Sequence, residues 1–334
     1  MTENTKNQET DGSIENKEVE GLSQGTIVWR KFIRHAGAMG GLAVLALIAL
    51  LAVTSQGIGP MPGWWIHDFR ASNPVQNGGA PTWTLADPTN LGIHPFGQDD
   101  IGRDNFARVM KGVQISLMTM FIIGGVALVV GAIVGAIAGY FRGWLDTVLM
   151  RVTDGFIILP TIVVGAILGK LVGGVGGAAL GLALGLILWT GLARLVRGEF
   201  LALREREFVD AARVAGASDF RIMFNHMMPN AIGVIIVNTT LLMSQAIVLE
   251  TALSFLGFGI TPPDVSLGSL INEYQSAFST RPWLFWWPGL CIIVIALCVN
   301  FIGDGLRDAF DPRQKKIPSA RQMERAAKKK EAAK

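Results

Sequence analysis

The feature of this sequence that most constrains its fold is a series of apolar runs, each long enough to cross a hydrocarbon core of about 30 Å. The runs lie near 36–56, 113–140, 155–171, 178–196, 231–258 and 285–305. They show no period-two alternation, and open strands would leave backbone groups unpaired in lipid, so helices are expected. Only 16% of the 334 residues are charged, against about 25% in an average soluble domain. The sequence therefore predicts an all-α, polytopic membrane bundle of six transmembrane helices.

The distribution of positive charge predicts how this bundle is oriented. Most of the 29 Lys and Arg residues lie in alternate segments: before the first run, between the second and third, between the fourth and fifth, and after the sixth. Such an excess marks the cytoplasmic side of a membrane. We therefore expect a multi-pass protein of the cell (inner or plasma) membrane, with both termini and the 194–230 loop in the cytoplasm.

The runs divide the chain into segments of different character. We predict a cytoplasmic N-terminal segment (1–34) that is disordered to about residue 25 and then basic, a first transmembrane helix (35–57), an extracytoplasmic loop (58–112), a helical core (113–305) and a basic cytoplasmic tail (306–334). The tryptophans of the outer loop, which suit either the membrane interface or packing within the loop, are Trp64, Trp65 and Trp83.

Glycines recur at four-residue spacing in two of the apolar runs. They are Gly131, Gly135 and Gly139 in the second run and Gly181 and Gly185 in the fourth. Small residues at this spacing let helix backbones approach each other closely. We therefore expect these two runs to lie at helix contacts inside the bundle.

The 194–230 loop is too charged to be buried in lipid and too long for a plain connector. Apolar residues at helical spacing lead to Gly216, and Ser218 or Asp219 can cap a second short helix that we expect Pro229 to end. The residues therefore predict a helix, a glycine turn and a second helix below the membrane. Such a hairpin could dock in a groove of a partner or lie on the lipid headgroups.

Motifs in this loop resemble a known family. Asp210-Ala211-Ala212, then Gly216, then His226-Met227-Met228-Pro229 resembles, at matching spacing, the EAA loop of ABC importer permeases. Asp210 stands where that pattern has Glu, and His226 and Met228 stand for Ile and Leu. Flanking segments that resemble the C-type permease subunit of dipeptide and oligopeptide importers lie at 102–117, 139–156, 193–201, 253–259 and 300–313.

This resemblance implies the type I ABC importer permease fold, with 113–305 as its core. It also implies that a coupling helix at about Gly216 to Phe224 sits in a groove of a cytoplasmic ATPase. The residues expected to take part in this coupling are Asp210, Ala211, Ala212, Gly216, Ala217, Ser218, Phe220, Arg221, Phe224, His226 and Pro229.

The implied partners are a second permease subunit of the B type, two ABC ATPase subunits, an extracytoplasmic peptide-binding protein and the lipid membrane, with no nucleic acid. The chain itself is expected to be no enzyme and to bind no cofactor or metal, with ATP and Mg²⁺ used by the ATPase subunits. In agreement, the sequence has no G-x-x-x-x-G-K-[ST] phosphate loop, and its four histidines form no metal-ligand cluster.

Several alternatives remain open at this stage. Relatives of peptide importers carry nickel, glutathione or other small solutes, so the substrate could belong to one of these classes. A single-chain secondary transporter or channel would also show six spans and an intramembrane carboxylate, but it would not need the EAA-like loop. A membrane enzyme would need a nucleophile and base or a metal cluster, and the sequence suggests neither.

A few polar residues lie inside or beside the apolar runs. Charge in the membrane is costly, so Glu250 should face the bundle or a water-filled path. With Asn238 and Gln245 it could line the translocation path, or it could make a structural hydrogen bond that closes the outer ends of the helices. We expect structural ion pairs at two membrane boundaries, where Arg103 and Asp104 could pair with each other or with the partner permease. The residues at the second boundary are Asp304, Arg307 and Asp308.

Overall fold

The computed structural model of this protein describes residues 24–82 and 94–310. Its helices are α1 (Gln24–Ile33), α2 (Ala36–Gln56), α3 (Asn105–Phe141), α4 (Gly143–Ile158), α5 (Thr161–Val172), α6 (Gly177–Arg204), α7 (Glu207–Val214), α8 (Asp219–Arg221), α9 (Met228–Phe255), α10 (Leu267–Tyr274) and α11 (Pro282–Phe310). A π-helical segment, Ile222–Met227, joins α8 to α9. Two short antiparallel strands, β1 (Gly57–Ile58) and β2 (Met61–Pro62), follow α2. The predicted all-α bundle is therefore confirmed, with one small hairpin outside it.

Five of the predicted runs are helices long and apolar enough to cross a membrane. The third run differs from the prediction, because it is broken into α4 and α5, which are bent by 84°. The break lies at Pro160. Proline lacks the N–H that would continue the helical hydrogen bonds, and it disfavours helical geometry at the preceding residue. Leu159 accordingly has an extended backbone.

The relative direction of the closely packed helices α3 and α6 shows how many times the chain crosses the membrane. A Cβ added at Gly139 would lie 2.6 Å from Phe200 Cβ, and one at Gly181 would lie 3.0 Å from Ile122 Cβ. The residue numbers of the contacting positions thus increase together along both helices, so α3 and α6 run parallel. The chain must return to its starting side between two parallel helices, and the α4–α5 pair is that return. The predicted glycine packing and the prediction of six crossings are both confirmed.

The remaining long helices pack antiparallel to their neighbours. Gly41 of α2 lies against Cys298 of α11, and Ser116 of α3 lies against Glu250 of α9. With six crossings, α1, the end of α11 and the α7–α8 segment lie at one end of the bundle. The loop that follows α2 and helix α10 lie at the other end, which we call the outer end after the orientation predicted from the charges.

Two predicted boundaries differ from the structure. Residues 24–33, at the end of the predicted disordered or basic segment 1–34, form helix α1, because Phe32 packs into a small cluster with Ala38 and Ala309. Helix α3 begins at Asn105 rather than at 113, since Asp104 caps it by accepting a 2.8 Å hydrogen bond from the Ala107 N–H. The predicted disorder over 1–23 and most of the basic tail, 311–334, lie outside the described residues.

Candidate functional site

A helical hairpin projects from one end of the bundle between α6 and α9. Its first arm is α7 and its second is α8 with the π-helical segment; we call residues 205–227 the α7–α8 hairpin. The chain reverses at Gly216, where a φ of +79° favours glycine. The Ala217 N–H donates to the Ala212 carbonyl at 3.1 Å and the Gly216 N–H to the Arg213 carbonyl at 3.0 Å. This pair of bonds is a Schellman motif, which satisfies the last carbonyls of α7.

The hairpin buries one apolar face and exposes another. Val209 and Ile222 are fully buried in a cluster with residues of α3 and α6. In contrast, Val214 is 90% exposed and Phe220 is 69% exposed. The ring of Phe220 packs against that of Phe224 in a tilted arrangement, with 4.5 Å between their centroids. Large apolar side chains held in the open are typical of a surface that another protein covers.

The second arm of the hairpin runs without interruption into α9, so the prediction that Pro229 ends it is wrong. Pro229 lies in the first turn of α9, but because helical residues precede α9, a proline there would normally clash with the carbonyl one turn earlier. The preceding turns have the wider π-helical spacing, in which the Met228 N–H donates to the Met223 carbonyl. Residues 219–255 therefore form one helical rod, in which α8 continues into α9.

All the residues predicted to take part in coupling lie in this hairpin or at the start of α9. Asp210 pairs with Arg213 on the same exposed face of α7, with 3.1 Å between their side-chain atoms. Ser218 has the extended backbone of an N-cap, but its side chain makes no capping bond. The exposed members of the set are Asp210, Ala211, Gly216, Ser218, Phe220, Arg221 and Pro229, and the half-buried ones are Ala212, Ala217, Phe224 and His226.

Polar contacts that the sequence analysis did not assign attach the hairpin to the bundle. The Tyr140 hydroxyl, at the end of α3, donates to Asp219 Oδ1 at 2.6 Å. Beside it, Arg142 Nη2 donates to Glu205 Oε1 at 2.6 Å. Tyr140 belongs to the 139–156 segment that marked the family resemblance. The sequence therefore carried a signal for Tyr140, but nothing in it identified Asp219 as its partner.

Glu250 lies at the centre of a buried hydrogen-bond network at the outer end of α9. Its carboxylate accepts from the hydroxyls of Ser116 on α3 at 3.1 Å and Ser254 on α9 at 2.8 Å. The same two hydroxyl oxygens accept from the backbone N–H groups of Leu267 and Ile260, both at 3.2 Å. One carboxylate thus joins α3, α9, the segment after α9 and the start of α10.

The other two polar residues predicted to line a path lie elsewhere. The Asn238 side chain donates to the Val234 carbonyl of its own helix at 2.8 Å and lines an open cavity of about 880 Å³. Gln245 is exposed and lines a separate cavity of about 380 Å³ between α4, α5, α6 and α9. The structure therefore does not bring Glu250, Asn238 and Gln245 into one site.

Charged residues at the outer end form a cluster across long sequence distances. Arg103 Nε lies 2.6 Å from Asp99 Oδ2, and Arg103 also pairs with Glu273 on α10. Arg108 Nη2 lies 2.7 Å from Glu273 Oε2. Burial raises the pKa of Glu273, but the two arginines outweigh burial and hold that pKa below its usual range. Arg103 and Asp104 both lie in ion pairs, as expected, but they do not pair with each other, because Asp99 and Glu273 take the Arg103 guanidinium.

Asp104 instead connects the outer loop to the start of α3. Its Oδ1 lies 2.8 Å from His94 Nδ1, and its Oδ2 accepts from Trp65 Nε1 at 2.8 Å. The Trp65 ring packs against Phe106, with 4.6 Å between centroids. Of the two locations open to the loop tryptophans, Trp65 takes packing within the loop, while Trp83 lies outside the described residues.

At the C-terminal end of α11, only one of the three predicted charged residues is seen in an ion pair. Asp308 Oδ2 lies 3.3 Å from Nε2 of His35, the residue that caps α2. Asp304 and Arg307 are exposed, and the described part of the chain holds no ion pair with either of them. Arg307 lines the larger cavity together with Asn238.

Comparison with known proteins gives consistent matches along the chain. Residues 131–316 match the family described as binding-protein-dependent transport system inner membrane component. Residues 23–74 match the N-terminal TM domain of oligopeptide transport permease C.

Among individual relatives, the oligopeptide transport system permease protein OppC of Mycobacterium bovis is 36% identical over 300 residues, which cover 88% of this chain and 97% of that protein. A putative peptide transport system permease protein of Brucella abortus is also 36% identical, over 88% of this chain and 94% of its own length. An inward-facing structure of the MetNI methionine ABC transporter aligns with 62% of this chain and 98% of the matched chain, at 20% identity and a TM-score of 0.49.

Proposed function

Because this chain belongs to the family of binding-protein-dependent transport system inner membrane components, we propose that it is the permease subunit through which an ATP-driven importer passes oligopeptides. The chain is a multi-pass permease component of an ABC importer. The peptide class is proposed because relatives that align with 88% of the chain are named as peptide permeases. Nickel, glutathione and other small solutes are the competing substrates.

The α7–α8 hairpin is the proposed contact with the ATPase subunits, and one observation carries this proposal. The exposed ring of Phe220 lies on a helical rod that continues to Phe255 near the outer end of the bundle. A force applied to that ring from below would therefore move α9 as a rigid body. Alternating opening of the two ends of the bundle would follow from such movement.

The remaining partners follow from the same proposal. Two ABC ATPase subunits would bind ATP and Mg²⁺ and receive the hairpin, while this chain binds no cofactor. A second permease subunit would complete the path, and an extracytoplasmic peptide-binding protein would deliver substrate at the end that holds α10. The excess of Lys and Arg in the segments at the hairpin end supports a cytoplasmic location for that end and for both termini.

The hairpin contact is tested by Phe220→Asp, with Phe220→Leu as the matched control. An aspartate would be unpaired in an apolar groove, which is unfavourable, whereas leucine keeps an apolar side chain. We expect Phe220→Asp to abolish peptide-stimulated ATP hydrolysis and uptake while the subunit still inserts, and Phe220→Leu to retain most of both. Normal uptake and ATPase stimulation by Phe220→Asp would refute the proposed contact.

The substrate class is tested separately. Uptake of a panel of radiolabelled di- to oligopeptides, with nickel and glutathione in parallel, would be measured in a strain that lacks this gene and in the same strain complemented with it. Restored uptake of peptides alone supports the proposal. Restored uptake of nickel or glutathione without any peptide would replace it with the corresponding importer.

A further inference from the structure

We propose that the Tyr140 hydroxyl is a positioning group that ties the second arm of the α7–α8 hairpin to α3, so that movement of the hairpin displaces α3 together with α9. The inference rests on the proposed function, in which ATPase subunits move this hairpin. It concerns a residue of α3, outside the hairpin itself.

The contact is a hydrogen bond from the hydroxyl to the second arm of the hairpin. The hydroxyl donates to Asp219 Oδ1, at the start of that arm, at 2.6 Å. A phenol has one hydrogen to donate, and here the Asp219 carboxylate accepts it.

The rest of Tyr140 is held in place by the bundle. Its ring is only 4% exposed and belongs to the cluster that contains Phe200 and Val209. The Arg204 side chain donates to the Tyr140 carbonyl oxygen, and its guanidinium carbon lies 5.8 Å from the ring centroid. A buried ring with a restrained backbone cannot follow the hairpin independently of α3. Displacement of Asp219 must therefore displace α3 or break the bond.

The value of this tie depends on how α3 and α9 are joined elsewhere. At their outer ends the two helices share the Glu250 network through Ser116. At the inner end the hairpin is continuous with α9, whereas its buried polar contact with α3 is made at Tyr140. Without the hydroxyl, the hairpin would keep only its apolar packing on α3 and the exposed Arg142–Glu205 pair, so a push on the hairpin would move α3 less than α9. With the hydroxyl, the two helices are driven as a pair.

The test is Tyr140→Phe in the complete transporter, reconstituted in proteoliposomes with its ATPases and binding protein. The probe is the radiolabelled peptide that the wild-type protein takes up best in the substrate panel. We expect the amount of peptide transported per ATP hydrolysed to fall about fivefold. We expect no complete loss, because a hydrogen bond to a partly exposed charged group contributes less than a buried one. Complex assembly and the thermal midpoint should stay close to wild type.

Variants at the partner residue distinguish coupling from a general structural effect. Asp219→Ala should reproduce Tyr140→Phe, and the double variant should be no worse than either single one. Asp219→Asn keeps an acceptor oxygen and should retain the wild-type ratio. Glu205→Gln, which removes the charge of the neighbouring exposed pair with Arg142 but keeps its acceptor oxygen, is the matched control and should leave the ratio unchanged.

Each outcome bears on a different claim. A wild-type ratio in both Tyr140→Phe and Asp219→Ala overturns the inference. If Phe220→Asp uncouples transport in the same preparation while those two variants do not, the hairpin contact stands and only the tie to α3 is refuted. If Phe220→Asp also behaves as wild type, the proposed function of the hairpin itself fails. Should Tyr140→Phe not assemble, Asp219→Ala, which alters an exposed side chain, decides the question.

Discussion

Replacing Glu250 with glutamine tests whether this intramembrane carboxylate has a structural role. Ser116 Oγ and Ser254 Oγ each accept a backbone N–H, from Leu267 and Ile260. Their hydroxyl hydrogens are therefore directed at the two carboxylate oxygens, at 3.1 and 2.8 Å. A glutamine of the same shape offers one oxygen to accept and an NH₂ group that can only donate.

The substitution should leave one buried serine hydroxyl facing another donor. An unsatisfied buried polar group costs about 1–3 kcal/mol. For a larger domain this corresponds to a fall in the thermal midpoint of roughly 2–4 °C per kcal/mol. We expect folded yield and uptake to fall together in Glu250→Gln, because the defect is in the stability of the outer end of the bundle.

The assay measures thermal stability by size-exclusion chromatography after heating, with peptide uptake normalised to folded protein. Asn238→Leu is the matched control, because the Asn238 amide bonds only to its own helix in the described part of the chain. We expect its midpoint to change far less than that of Glu250→Gln. Unchanged stability combined with lost uptake per folded molecule would refute the structural reasoning and assign Glu250 to the translocation path.

Two further predictions concern packing and charge. Gly135→Leu should prevent stable folding, because even a Cβ there would lie 2.5 Å from the Ala193 carbonyl oxygen. Overpacking of this kind costs about 1–3 kcal/mol or more. A folded yield equal to that of wild type, measured by fluorescence-detected chromatography, would contradict this prediction. Burial raises the pKa of Glu273, but Arg108 and Arg103 more than reverse this shift, so its stabilising contribution is present above the ordinary pKa of 4.5 and is lost as the pH falls below it. Glu273→Gln should therefore be less stable than wild type at neutral pH and lose less stability on acidification, and parallel melting curves at all pH values would count against this.

Much of the candidate site was predictable because its signals are local. Spacing and residue type alone predict the turn at Gly216, and the family resemblance adds Phe220. The continuity of the second arm with α9 was not predicted, because Pro229 is a strong helix-ending signal. Only the π-helical turn that precedes it shows how the chain avoids the clash.

The ion pairs at the outer end, in contrast, could not be predicted from the local sequence. Arg103 and Asp104 are adjacent in sequence, which suggested a pair, but Glu273 lies 170 residues from Arg103 and takes its guanidinium. The Tyr140 contact with Asp219 spans 79 residues. Such partners depend on which helices pack side by side, and no local pattern encodes that information.

The sequence by itself determined the membrane class of this protein, the location of the apolar runs and the presence of a displayed hairpin. Helix α2 occupies 36–56, the range that its hydropathy predicted. These properties follow from the transfer of side chains between water and lipid and from local backbone preferences, which act residue by residue. The tertiary structure alone decided the parallel packing of α3 with α6 and the partners of Glu250, Arg103 and Tyr140. Those choices depend on distances between segments that become neighbours only when the chain has folded.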